Sequence, residues 1–184
     1  MEKLIIGLVG PIASGKGEIK KYLQEKYGAT EHRFSTILRD VLDRLHIEKS
    51  RKNLQDVSLV LRQQFGSDLL AKVLTEDVEK DKSLLIIIDG IRRFDDIHHL
   101  KNLPEFNLIS VNASEKLRYE RVVSRNENTG DNKKSFIEFQ QDAQAEAELK
   151  IPEVMAAAKI EIENNGTFEE LYANIDKLLA NLRR

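Results

Sequence analysis

Residues 4–18, LIIGLVGPIASGKGE, constrain the fold more than any other stretch of the chain. An unbroken apolar run from Leu4 to Val9 stops at Gly10-Pro11, and a run with helical spacing begins near Lys16. Gly10, Gly15 and Lys16 satisfy G-x-x-x-x-G-K where that spacing has a mechanism, after a strand and at the start of a helix. Glycines let the backbone curl so that successive N–H groups face a phosphate. The helix N-terminus adds its positive end, and the lysine neutralises the outer phosphates. Ala13 and Ser14 within the loop, with Gly17 and Glu18 just after it, complete the expected nucleotide contacts. Gly17 departs from the pattern, because a hydroxyl at that place ordinarily ligates magnesium directly. A glycine-rich turn that merely joins strand to helix is the alternative.

Downstream, apolar runs and helical stretches alternate, the pattern of parallel strands joined by crossover helices. Strands are expected at residues 4–9, 31–34, 84–88, 107–111 and 159–162. Helices are expected at residues 16–26, 36–45, 54–80, 94–101, 115–125, 134–149, 152–158 and 168–182. The run SLLIIID is the clearest strand, since unbroken β-branched and leucine residues suit a strand covered on both faces. It should be central. Ser114 and Thr167 read as helix starts, and Phe168, Leu171, Ile175, Leu178 and Leu179 form one apolar stripe. The segment NENTGDN, residues 126–132, has turn residues and no apolar anchor, so a lid or a plain surface turn is expected over about residues 126–135.

Composition narrows the partners. With 184 residues, 33% of them charged, and 29 Lys+Arg against 31 Asp+Glu, the chain reads as one globular domain without the basic excess of a nucleic-acid binder. It has no cysteine, which excludes disulfides, thiolate metal sites and a thiol nucleophile. The first apolar run is too short to span a bilayer and lacks a cleavage pattern, so a cytoplasmic protein without membrane contact is expected. The triplets at Asn112 and Asn165 read as turn and cap chemistry rather than glycosylation sites. The adjacent His98 and His99 should diverge by about 100° if helical, which argues against a two-histidine zinc site.

The second acidic signal is LLIIIDGIRR, which ends the strongest strand with Asp89 and Gly90. An aspartate at the tip of a strand beside the phosphate loop can hold magnesium through water, the task left undone by Gly17. Together, the loop and this segment resemble the nucleoside monophosphate kinases of the adenylate kinase type. Their loop is similar to G-x-P-G-x-G-K-G, matched here at Gly10, Gly15, Lys16 and Gly17, with Pro11 one place early and Glu18 in place of a usual Thr. Asp89, Gly90 and the following arginines resemble their D-G-F-P-R, and more closely the D-G-I-R of small adenylate-kinase-like proteins. Arg92 matches the shorter spacing and Arg93 the longer, so either could grip an acceptor phosphate. Within HRFSTILRD, Ser35 and Arg39 resemble the lining of the monophosphate pocket, and Arg39 reads equally well as a solvated charge. Arg62 falls in a helical insertion, about residues 35–80, where acceptor contacts would lie. Arg121 and Arg125, four apart on one helix face, resemble the E-R-x-x-x-R before the lid, whose arginines face the nucleotide.

Beyond the lid the resemblance thins, with Gln140 and Gln141 and no arginine; Lys133 and Lys134 are the point charges that could take their place. The tail, with Asn164, Asn165 and Gly166, resembles that of dephospho-coenzyme A kinases, where such a turn supports the adenine. HRFSTILRD, however, lacks that family's acidic pair for the ribose. A switch GTPase is disfavoured, because Asn132-Lys133-Lys134-Ser135 ends without the guanine-reading carboxylate and follows no strand.

The resemblance implies a three-layer α/β/α P-loop fold with a parallel five-stranded sheet in the order 2-3-1-4-5. The implied activity is transfer of the ATP γ-phosphate to a nucleoside or deoxynucleoside monophosphate, assisted by Mg2+. The partners are then a nucleotide and a small phosphorylated acceptor. Lys16, Asp89, Arg92, Arg121 and Arg125 form the expected catalytic set. Ser35, Arg39, Arg62, Arg92 and Arg93 form the expected acceptor set, and Asp89 is the metal residue through water. Dephospho-coenzyme A kinase and a non-catalytic nucleotide-binding protein are the alternatives.

Overall fold

Five strands pair in parallel in the order β2-β3-β1-β4-β5, the arrangement expected for the phosphate-loop fold. They are β1 (Leu4–Val9), β2 (Thr30–Arg33), β3 (Leu85–Asp89), β4 (Phe106–Asn112) and β5 (Ile160–Glu163). The computed structural model describes residues 3–125, 131–142, 144 and 149–183. β1 lies at the centre, with Ile5 opposite Ile86 of β3 on one side and Phe106 of β4 on the other. Because side chains alternate across a strand, β3 feeds two cores at once. Ile86 and Ile88 join one apolar cluster, Leu85 and Ile87 the other. All four are at most 2% exposed, which is why SLLIIID reads as an uninterrupted apolar run.

The helices divide between those clusters. α1 (Lys16–Tyr27) and α9 (Phe168–Leu182) bury Ile19, Leu23, Leu171, Ile175 and Leu179 on one sheet face. α2 (Phe34–Arg44), α4 (Leu69–Lys80) and α8 (Ile151–Ala156) supply Phe34, Leu38, Leu70, Leu74, Val78 and Val154 to the other. α9 starts as expected: the Thr167 hydroxyl accepts from Glu170 N at 3.3 Å, and the Glu170 carboxylate accepts from Thr167 N at 2.9 Å. Such a reciprocal cap satisfies two N–H groups at the helix end.

Several boundaries differ from the sequence expectation. β2 ends at Arg33, and Phe34 opens α2 with its ring buried in the core. The helix expected over residues 54–80 is two, α3 (Arg51–Phe65) and α4, separated where Gly66 takes a φ of 108°. Apolar spacing continues across the break, so periodicity alone hides it. The stretch at residues 94–101 is a single turn, α5 (Phe94–Ile97), followed by a 3-10 turn at Leu100–Asn102. α6 (Glu115–Arg125) agrees with expectation, whereas the helix expected at 134–149 is α7 (Phe136–Asp142) as far as described residues go. Residues 126–130 of the expected lid lie outside the described residues; the 3-10 turn Asp131–Lys133 marks its far side. Among the described residues, no helix is long and apolar enough to cross a membrane.

Candidate active site

In a parallel sheet the loops after β1, β3 and β4 emerge at one edge, the carboxyl edge where ligands of open α/β folds bind. The phosphate loop fills the gap between Val9 and Lys16 at that edge. Two of its glycines are required by close approach. A Cβ on Gly10 would stand 2.1 Å from the Val111 carbonyl oxygen in β4, and one on Gly15, where φ is 108°, would stand 2.0 Å from Asn164 Nδ2. Ala13 also takes a left-handed φ of 59°. The Lys16 ammonium arches over the loop, donating to the carbonyls of Gly10 at 2.6 Å and Pro11 at 2.9 Å. Ser14 is fully buried, and its hydroxyl has no hydrogen-bond partner among the described residues.

Asn164, directly after β5, anchors the loop from below. It is 3% exposed, its Nδ2 donates to Ser14 O at 2.9 Å, and its N–H donates to Asn112 O at 2.8 Å. The Asn164 carbonyl in turn accepts from Arg121 Nη2 at 3.0 Å, and Arg121 Nη1 donates to Ala13 O at 3.4 Å. Arg121 therefore reaches the loop as its helix position suggests. Burial pushes its guanidinium down from the usual value, although an arginine retains its charge in proteins. Arg118, one turn earlier in α6, stands outside the E-R-x-x-x-R spacing, yet it donates to Ala113 O at 3.2 Å and Ile12 O at 3.4 Å. Arg125 stands exposed at the end of α6, beside residues 126–130.

Gly17 and Glu18 resolve differently. A Cβ on Gly17 would meet nothing within 4 Å, so no steric demand excludes a hydroxyl-bearing residue there. Glu18 turns toward α9, where its carboxylate accepts from the Tyr172 hydroxyl. That hydrogen bond, and then burial, push the Tyr172 phenol up to about 12. The Tyr172 ring stacks on Tyr22 at 4.1 Å with planes 2° apart, which fixes the direction of the pair.

Asp89 ends β3 in a four-residue charge cluster. Its Oδ1 accepts from Gly90 N at 2.8 Å. Its Oδ2 lies 3.2 Å from Lys20 Nζ and 3.4 Å from Arg33 Nε. Glu31 binds the same two cations, at 2.8 Å from Lys20 and 3.2 Å from Arg33. Burial would raise the Asp89 carboxyl, but the charges of Lys20, Arg33 and Lys16 outweigh it and hold the group below the usual carboxylate range. Lys20, Glu31 and Arg33 carry no motif; the pairing of β2 with β3 sets Arg33 opposite Asp89, and Lys20 reaches the same carboxylates from α1.

The acceptor-side residues are less gathered. Ser35 is half-buried in the first turn of α2; Arg39 and Arg92 are exposed, and no charged partner engages either side chain among the described residues. Arg93 is half-buried beside Arg92. Arg62 is engaged within its own surroundings: its Nη2 donates to Asp96 Oδ1 at 2.9 Å, and its Nη1 donates to Ser67 O. Asp96, only 3% exposed, also accepts from Arg92 N at 2.9 Å and Arg93 N at 3.0 Å. A buried aspartate thus shapes the backbone that carries both candidate acceptor arginines. No sequence signal marks it, apart from its place three residues after Arg93 at the start of a helix.

Comparison with known proteins agrees with this architecture. The AAA domain family model matches residues 6–148. A UPF0200 protein of Sulfurisphaera tokodaii is 30% identical over 175 residues, covering 95% of each chain. A UPF0200 protein of Thermococcus kodakarensis is 30% identical over 181 residues, covering 96% of each. Among solved structures, TT1252 from Thermus thermophilus superposes with a TM-score of 0.66 at 18% identity, over 99% of both chains. Shikimate kinase from Bacteroides thetaiotaomicron superposes with a TM-score of 0.61 at 14% identity, over 96% of this chain and 98% of that one. At such identities the structural neighbours establish the fold alone, the parallel-sheet P-loop fold that shikimate kinase also has.

Proposed function

The chain belongs to the UPF0200 family of P-loop proteins, and from the geometry of its loop we propose that it is an ATP-dependent phosphotransferase acting on a nucleoside or deoxynucleoside monophosphate. The observation that carries the reading is the joint construction of the loop edge. Gly10 and Gly15 leave no room for a Cβ, Ser14 keeps a buried hydroxyl without a partner among the described residues, and Arg118 and Arg121 approach the same loop from α6. A buried unpaired hydroxyl costs about 1–3 kcal/mol. A phosphate group seated in the loop supplies the polar neighbour that would offset it.

Phosphoryl transfer asks a protein for charge neutralisation, positioning and exclusion of water rather than covalent chemistry. In this reading Lys16 swings from its carbonyl partners to the outer phosphates, and the N-terminus of α1 receives their charge. Arg121, with Arg125 beyond it, faces the nucleotide, and Arg92 or Arg93 receives the acceptor phosphate on the backbone that Asp96 shapes. Ser35 and Arg39 line the acceptor side, and residues 126–135 cover the site. Asp89 fits the magnesium role by its carboxylate chemistry and its place at the strand tip, and would hold the ion through water. When bound, magnesium neutralises phosphate charge. Arg62 in this scheme positions the acceptor loop through Asp96 instead of touching the acceptor.

One observation favours a second reading, a nucleotide-binding protein without transfer activity: Lys20 and Arg33 already neutralise the Asp89 carboxylate that magnesium would need. ADP release coupled to a chromogenic readout, with ATP and Mg2+ against a panel of monophosphates plus dephospho-coenzyme A, separates the readings. Turnover with one monophosphate, abolished by Lys16→Ala and Asp89→Ala, is expected. ATP binding without turnover on any acceptor would establish the second reading. Turnover on dephospho-coenzyme A alone would assign that kinase activity instead.

A further inference from the structure

Away from the phosphate loop, Asp68, His98 and His99 converge at the corner where α3 turns into α4. One ligand atom from each lies within 4.8 Å of the other two. Asp68 occupies the N-cap position of α4, yet its side chain makes no capping bond. Its Oδ2 turns instead to His99 Nε2 at 2.8 Å. His98 and His99 stand where α5 gives way to the 3-10 turn, and their rings meet edge to face, with centroids 5.1 Å apart and planes at 83°. Adjacent histidines in a regular helix diverge, but here both imidazoles face the same carboxylate.

We propose that Asp68, His98 and His99 form a binding site for a divalent first-row transition ion of the zinc class. Two imidazoles and one carboxylate are the donors that zinc and its neighbours accept, whereas magnesium prefers oxygen alone. A tetrahedral ion with bonds of about 2.0–2.1 Å sets its ligand atoms roughly 3.4 Å apart, a separation that falls inside the 4.8 Å within which the three atoms already lie. Three protein ligands leave a fourth position to solvent. The three come from two separate segments, so an ion there ties the start of α4 to the turn after α5. His98 lies two residues after Asp96, whose carboxylate accepts from Arg92 N and Arg93 N. Metal binding would therefore stiffen the backbone of the two arginines from a site outside the phosphate loop. The proposal stands whatever reaction the loop performs.

The test uses the untagged full-length chain and the metal alone, without nucleotide. Cobalt(II) titration followed by visible d–d absorption, with zinc as competitor, should show one saturable equivalent, and zinc should raise the thermal midpoint. Both effects should be lost in His98→Ala, His99→Ala and Asp68→Asn and kept in Asp89→Ala and Lys16→Ala. His98 is exposed, so His98→Ala should leave the fold intact, which circular dichroism checks. Absence of saturable binding in the unaltered chain would overturn the proposal. So would binding that survives His98→Ala and His99→Ala, or binding lost only in Asp89→Ala.

Discussion

A carboxylate two places after the loop lysine is an electrostatic liability in a phosphate site, and the stacked rings of Tyr22 and Tyr172 remove it. They direct the Tyr172 hydroxyl at Glu18, so that charge is committed to α9 rather than to the loop. Gly17 is the complementary case, a position whose chemistry is missing though its space is open. Gly17→Ser should be accommodated with stability unchanged or raised by about 0.5 kcal/mol, since serine is the better helix former. It also restores the hydroxyl that phosphate loops ordinarily offer a metal. Calorimetric titration of the variant with ATP should therefore show a larger gain in affinity on adding magnesium than the unaltered chain shows. An identical magnesium dependence would mean that the side chain at this position never approaches the ion. Sequence reading identifies the loop glycines and the lysine because their spacing is local. It cannot show that Glu18 turns away, because the partner is 154 residues distant.

At the scale of elements, a buried ion pair straps α3 to the turn after β3. Arg62 and Asp96 have side chains 13% and 4% exposed, and the same carboxylate accepts two backbone N–H groups. Removing one partner of a buried ion pair leaves a charge without compensation, which costs about 3–5 kcal/mol. Asp96→Ala should lose stability of that order in urea unfolding and should raise the KM for the acceptor more than that for ATP. Arg62→Ala combined with Asp96→Ala should cost little beyond Asp96→Ala alone, because the two residues act as a pair. Full additivity would show that the two side chains are not coupled. From sequence, Arg62 reads as a ligand because helical spacing puts it in the insertion, while its actual partner lies 34 residues away in a segment without a motif. The division into α3 and α4 is hidden for a related reason. Apolar residues recur at helical spacing on both sides of Gly66, and only the positive φ there ends the first helix. β3 and the capping of α9, by contrast, are legible because an unbroken apolar run and a Thr-x-x-Glu cap depend on neighbours alone.

For the whole molecule, the strand order sets β1 between β3 and β4, so the loop, Asp89 and α6 meet at one edge although they lie far apart in sequence. Along the paired β2 and β3 lie two carboxylates in polar contact, Asp89 with Lys20 and Arg33 at one end and Asp81 with Thr30 and His32 near the other. Burial acts to raise Asp81, but hydrogen bonds from His32, Ser83 and Thr30 prevail and hold its carboxyl far below the usual range. Asp89 is likewise held below it, against burial, chiefly by Lys20. A carboxyl depressed in the folded state contributes stability above the unfolded carboxylate value of about 3.9, and that contribution fades as pH falls toward the folded value. Stability to urea should therefore hold between about pH 7 and 5 as far as these two groups decide it, then fall steadily below about pH 4. Asp89→Asn removes one of the two titrations, so its curve should start lower at neutral pH and descend less steeply in acid. Asp81→Asn should do the same more strongly, because its carboxyl is the further depressed and ties Thr30 and His32 of β2 to the turn before β3. Parallel acid limbs in the unaltered chain and both variants would show that acid unfolding is governed by carboxylates outside the β2–β3 edge.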